Sequence, residues 1–246
     1  MKINNEILGR VIIGISILVT AIILSNSYNK KYNESKNISV VGMAQIDFES
    51  DLIVWEGNYN RKSINIKNAY SDIKNDQMAL IQYFKEQNIP DSEIVFSAVN
   101  LTKEFNSTYG SNGEITSNTF SGYSLTQSFK IESKDIKKIE RVSRESTKLI
   151  EKEIELNSEL PRYYYTKLAD LKMDLLSKAS LDGKMRAEAI AKSVDSRISQ
   201  LKKAVMGVFQ ITGKNSNEDF SYGGSYNTSE KNKTASVTIK MEYILN

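Results

Sequence analysis

ISVVGMAQIDFESDLIVWEGNY, residues 38–59, alternates in two blocks about a polar break, and that alternation sets the fold class. In the first block Ile38, Val40, Gly42, Ala44, Ile46 and Phe48 fall on one side. Successive side chains of a strand point to opposite faces, so this period of two predicts a half-buried strand. Glu49-Ser50-Asp51 reads as a turn, and LIVWEGNYN after it reads as a second strand, the two forming a hairpin.

Downstream the period changes. Ile66, Ala69, Ile73, Leu80 and Phe84 recur at helical spacing, and Asn88-Ile89-Pro90-Asp91 stops them, which predicts a helix over about 64–87. Two alternating stretches, 93–106 and 116–131, flank NSTYGSNGEITSN and read as a long hairpin with a mobile tip. Ser133 is placed to cap a further helix whose apolar stripe is Ile136, Ile139, Val142, Leu149 and Ile150. The order then repeats. A short strand near 162–167 precedes a long helix in which Leu168, Leu171, Leu175, Ala179, Gly183, Ala187, Ile190 and Val194 share one face. Strands at about 199–212 and 235–245 close the chain around the polar segment GKNSNEDFSYGGSYNTSEKNK. The expected class is α+β: two strand-helix-strand-strand units, about 51–131 and 162–246, with antiparallel sheets covered by helices.

Upstream, Val11 to Leu24 is an uninterrupted apolar run led by Lys2 and Arg10. It reads as a secretory signal or an uncleaved transmembrane anchor. Ile23-Leu24-Ser25-Asn26-Ser27-Tyr28 makes a poor small-residue cleavage site, which favours the anchor. The expected organisation is a membrane segment over 1–28, a polar tether over 29–37 and a domain over 38–246. The chain is then single-pass in the cytoplasmic membrane with the domain in the periplasm or outside the cell, a cleaved and exported form being the alternative.

Composition narrows the chemistry. The chain has no histidine and no cysteine, which removes imidazole and thiolate metal sites, Ser-His-Asp and Cys-His nucleophiles, disulfides and lipidated cysteines. Its net charge of +3 gives no reason to expect nucleic acid. The reading is accordingly non-enzymatic, with no catalytic, cofactor-binding or metal residue assigned. Asp47, Glu49, Asp51 and Glu56 cluster near the first hairpin, but their spacing matches no calcium-binding loop and fits a solvated turn. Trp55 could stack a sugar or a base, or be core. Arg162 leads into Tyr163, Tyr164 and Tyr165, which would place aromatics on both faces of a short strand lining a groove or a subunit interface.

The opening block 38–59, the helix LADLKMDLLSKASLDGKMRAEAIAKSV, the strand KKAVMGVFQIT and the closing TASVTIKMEYIL together resemble the SIMPL domain family of bacterial envelope proteins, over about 38–246. Gly42-Met43-Ala44 sits where that family carries a Gly-x-Gly or Gly-x-Ala pattern, and Ala179, Gly183, Ala187 and Ala189 supply its small helix residues. Asp182-Gly183 departs from the commoner alanine, and a kink or weaker helix is expected there. The resemblance implies an envelope interaction or assembly module, related to envelope or oxidative-stress physiology. Long open-edged hairpins add homo-oligomerisation to that expectation. The alternative is a periplasmic small-molecule or glycan binder, its groove lined by Trp55 and Tyr163 to Tyr165.

Overall fold

The computed structural model describes residues 5–33 and 37–246. Helix α1 (Asn5–Asn33) is followed by β1 (Asn37–Glu49), β2 (Leu52–Ser63) and α2 (Ile66–Glu86). Then come β3 (Ile94–Phe96), β4 (Asn100–Tyr109), β5 (Ile115–Ser133) and α3 (Ile136–Glu145). The rest is β6 (Leu156–Ser158), β7 (Arg162–Tyr164), α4 (Leu168–Ser193), β8 (Ile198–Met206), β9 (Gln210–Gly213), β10 (Ser225–Tyr226) and β11 (Asn232–Leu245). The class is α+β, as the periodicity predicted.

Helix α1 continues to Asn33, into the stretch 29–37 expected from sequence to be a tether. Residues 34–36 lie outside the described residues, as do 1–4. Among the described residues no helix is long and apolar enough to cross a membrane. The large apolar side chains of α1 from Ile12 to Leu24 are nevertheless 49% to 64% exposed.

The expected hairpin between the first two strands does not form. β1 instead runs antiparallel to β11, from Asn37 opposite Ile244 to Glu49 opposite Asn232. β2 pairs with β5, from Ile53 opposite Ser133 to Ser63 opposite Tyr123. A tight two-residue hairpin needs positive φ in its turn, and neither Ser50 nor Asp51 adopts it. Between these strands the chain instead steps from one sheet to the other: the Ser50 N–H donates to Lys231 O and the Asp51 N–H to Tyr164 O. The first sheet is β1–β11 with β8 and β9 end to end along the far side of β11 and β10 beside β9. In the second, β3 and β4 flank β5, β2 is next, and β6 and β7 flank β2. The short strand expected to open the second unit therefore belongs to the other sheet, with Leu52 opposite Tyr164. β1 takes its place.

Several local expectations shift for identifiable reasons. Asp135, not Ser133, caps α3 by accepting the Lys138 N–H, while Ser133 Oγ accepts the Asp135 N–H one turn earlier. Ile150 is exposed because α3 passes into a tighter turn over 146–152 that buries Leu149 alone of the two. The buried stripe of α4 is Leu175, Ala179, Gly183, Ala187 and Ala191, a strict i+4 row that leaves Ile190 and Val194 outside. The segment 106–118 is mostly paired: strands continue to Tyr109 and Ile115, and only 110–114 turns. That makes β4–β5 a long arm.

α4 runs unbroken through Asp182-Gly183, where a kink or weaker helix is expected from sequence. Close contact occupies that position. A Cβ on Gly42 would lie 2.2 Å from Ala179 O and 2.6 Å from Gly183 N, and one on Gly183 would lie 3.2 Å from Gly42 Cα. Helix and strand thus meet backbone to backbone. Asp182 Oδ2 spans the gap, accepting the Met43 N–H at 2.8 Å and Arg186 Nε at 2.8 Å. These bonds hold its carboxyl below the usual carboxylate range, the Met43 N–H contributing most.

The two glycines should differ in tolerance. Gly42→Ala drives a methyl into helix backbone and should cost roughly 3 kcal/mol, the upper range for overpacking. Gly183→Ala meets chiefly the movable Met241 Cε at 2.1 Å and recovers about 1 kcal/mol of helix propensity, so it should cost less. Urea unfolding of both variants checks the order; a milder effect at Gly42 would contradict the close-contact account.

Candidate functional site

The residues singled out from sequence fall in two places. Trp55 is wholly buried in the second sheet's core, edge-on to Phe129 at 5.1 Å and to Phe84 at 6.0 Å, with its indole N–H donated to Ser158 Oγ at 3.0 Å. It cannot line an open groove. Its neighbours Ile53, Phe84 and Ile131 are also fully buried, so Trp55 acts by filling volume.

Tyr163, Tyr164 and Tyr165 lie instead at the junction of the two sheets. β7 pairs with β2 of the second sheet, yet the Tyr163 N–H donates to Thr228 O in the loop leading to β11. The Tyr163 hydroxyl reaches Glu140 Oε1 on α3 at 3.0 Å, and burial with that neighbour pushes it up to about 12. The Tyr164 ring lies 6.4 Å from that of Tyr226, and the Tyr165 ring lies 4.9 Å from that of Phe48 in β1. Asp51 accepts from the Thr166 N–H at 2.7 Å and its hydroxyl at 2.6 Å, and Arg162 pairs with Glu56. The tyrosine run therefore lines an interface, but one inside the molecule, between its two halves.

At its centre is a residue that sequence reading missed. Lys233 in β11 is 0% exposed. Its ammonium donates to Tyr163 O at 2.7 Å and lies 5.9 Å from the centre of the Tyr226 ring. Burial pulls it down to about 8, and the more distant Glu230 and Glu218 oppose that shift. The alternation of β11 places Lys233 in the same inward row as Ala235, Val237, Ile239 and Met241, which is the one signal that could have marked it. The carboxylates read as a cluster are dispersed: Asp47 pairs with Thr234 and Lys214, Glu49 with Lys231, Glu56 with Arg162. Among the described residues no group of three metal-type ligands converges.

Two further exposed surfaces bear on function. A groove of about 550 Å³ opens beside the break between β8 and β9, lined by Met43, Met206, Val208, Phe220, Tyr222 and Thr238. These residues come from four segments, so no sequence window could have shown it. The other surface is the β4–β5 arm, where Leu101, Phe105, Tyr109, Ile115 and Phe120 are 40% to 64% exposed. Phe105 and Phe120 meet edge-on at 5.9 Å, and Phe120 meets Tyr123 at 5.1 Å.

Lys233 makes stability pH-dependent in a definite direction. Its folded pKa of about 8 lies below its ordinary value of 10.5. Between those values the unfolded chain holds a proton that the folded chain has lost, so this residue's contribution to stability rises with pH across that window. Urea unfolding of the wild type and Lys233→Met at pH 7.5 and pH 10, taken as a difference so that tyrosine ionisation cancels, should show the wild type gaining on the variant as pH rises. No change in the difference would contradict the buried, desolvated ammonium.

No curated protein matches the chain. The SIMPL family model, described as a protein of unknown function (DUF541), matches residues 38–243. That match starts at the second residue of β1, ends within β11, and takes in both sheets and every helix after α1. The chain belongs to the SIMPL family.

Proposed function

We propose that this chain is a non-enzymatic assembly module of the cell envelope, held at the membrane by its N-terminal helix and joined to further copies of itself through its second sheet. The observation that carries the reading is the β4–β5 arm, whose strand pairing runs out to Tyr109 and Ile115 and leaves five large apolar side chains exposed. A contiguous exposed apolar surface of this kind marks an interaction site. Both lobes have their own buried core, and the junction between them is filled by their own side chains, so the exposed strand edges are what remains for partners.

The anchor rests on the sequence. The nineteen residues between Arg10 and Lys30 carry no charge, about 28 Å of helix at 1.5 Å per residue, against a hydrocarbon core of about 30 Å. The exposed apolar side chains of α1 support the same reading. In this arrangement the family domain lies on the far side of the membrane from the N-terminus, in the periplasm or outside the cell. An envelope or oxidative-stress role follows from family resemblance alone.

A second reading has its own support. The groove of Met43, Met206, Val208, Phe220 and Tyr222 is open and mainly apolar, with Thr238 as a polar group, the pattern of a small-molecule site. It replaces the groove expected between the sheets, which Tyr163 to Tyr165 fill.

Mass decides between them. Light scattering of the full chain in detergent, corrected for bound detergent, should give a discrete multiple of 27.8 kDa. A monomer across the accessible concentration range would overturn the assembly reading and leave the groove as the better-supported site.

A further inference from the structure

Resting on that assembly reading, the structure assigns the contact. We propose that two copies of this chain join antiparallel, β4 to β4, across a two-fold axis at Phe105. The argument is one of elimination among strand edges, followed by register.

An unpaired edge presents a row of N–H and C=O groups that will accept another strand unless something blocks it. Most long edges here are blocked. On β1, Asp182 from α4 takes the Met43 N–H in the middle of the strand. On β8, Lys202 and Lys203 stand together at the centre, so two-fold pairing about either would set lysine against lysine. The far side of the second sheet consists of β6 and β7, three residues each, with the Tyr163 N–H already bonded to Thr228 O. β4 has ten residues and pairs only with β5, and the two charges near its centre, Lys103 and Glu104, are of opposite sign, so they exclude only the registers centred on them. The bulge at this level places its extra residue on β5, where Glu104 faces Gly122 and Phe105 faces Phe120, so the outer edge of β4 stays regular.

Register then selects the centre. In a two-fold antiparallel pair, directly opposed residues share a face, so the axis passes through a residue position. Centred on Lys103 or Glu104, the pairing sets like charges against each other. Centred on Phe105, it sets Phe105 against Phe105, Leu101 against Tyr109 and Lys103 against Ser107 on one face. On the other face Glu104 meets Asn106 and Thr102 meets Thr108. No like charges oppose, and each apolar residue of β4 meets an apolar residue of the second copy. The exposed Leu101, Phe105 and Tyr109, with Phe120 beside Phe105, become three apolar cross-strand contacts separated by the two Lys103–Ser107 pairs. The contact is isologous and closes at two copies per arm.

The chain's lack of cysteine makes the test direct. Opposed positions in an antiparallel pair have Cβ atoms close enough for a disulfide after small adjustment. Under mild oxidation in detergent, full-length Phe105→Cys should run mostly as a disulfide-linked dimer, and Val205→Cys, on the β8 edge, should stay monomeric. Lys103→Cys and Ser107→Cys should each cross-link poorly alone and efficiently when mixed, which reads the register without depending on any one variant. Phe105→Lys should lower the mass of the native species and leave the circular dichroism unchanged. A wild-type oligomer in which Phe105→Cys fails to cross-link, or Val205→Cys cross-links instead, overturns the β4 contact and leaves assembly itself standing. A monomeric wild type overturns both.

Discussion

The close approach of Gly42 to Gly183 is the constraint from which the rest of the architecture follows. With a would-be Cβ on Gly42 only 2.6 Å from Gly183 N, position 42 needs glycine for helix and strand to lie so near. That proximity lets a short acidic side chain on the helix, Asp182, reach a backbone donor on the strand, Met43. One contact therefore does two things. It seats α4 on β1 and closes the outer edge of the first sheet. A glycine inside a helix ordinarily costs stability; here Ala179 and Ala187, one turn to either side of it, are buried in the core shared with β1 and β11 and offset that cost.

Since α4 needs β1 beneath it, the strand nearest the N-terminus must wait for a helix more than a hundred residues away. The second sheet is built in between, as an insertion that leaves at Ser50 and returns near Thr166. Exit and re-entry lie side by side, and the bonds there are the junction: Asp51 to Thr166, Tyr163 to Thr228, and the ammonium of Lys233 to Tyr163 O. A buried ammonium is costly unless bonded. Its partner here is a carbonyl of the other lobe, so separating the lobes would strand the charge without that acceptor. The tyrosines complete the seal, Tyr165 on Phe48 and Tyr164 on Tyr226.

Element type was legible in the residues wherever period was strict: the alternation of β1 and β11, the helical rows of α2 and α4. Pairing was not. Alternation reports which face of a strand is buried and is silent on its neighbour, so adjacency in sequence suggested a hairpin where Ser50 and Asp51 send the chain to another sheet. The Tyr163-Tyr164-Tyr165 run suggested a groove or a subunit interface because aromatics on both faces of a strand need cover on both. Whether the cover is another molecule or another part of the same chain depends on tertiary contacts that no local window holds. Lys233 was hidden by its type, since a lysine in a strand reads as an outward residue unless its place in the inward row is counted. Resemblance to the SIMPL family came from the opening block, the α4 segment, KKAVMGVFQIT and the closing strand; of the small helix residues named there Ala179, Gly183 and Ala187 face the sheet, while Ala189 is exposed, off the i+4 row.

Function, on this account, lives in what the two lobes leave uncovered. Under the proposed assembly, Asp182 occupies an edge N–H of β1, while the β4–β5 arm leaves its outer edge open. All of it presumes that β1 is an integral strand of the first sheet. Hydrogen exchange on the full chain in detergent, followed by mass spectrometry, tests this directly by comparing residues 38–48 with 233–244. The account predicts slow exchange for Met43 and for those β1 amides that bond to β11, matching their partners in β11, while the other outward amides of this edge strand exchange freely. Fast exchange of the β11-bonded amides of 38–48 and of Met43 with β11 still protected would show β1 to be a detachable edge, and would contradict the helix–strand contact on which the architecture depends.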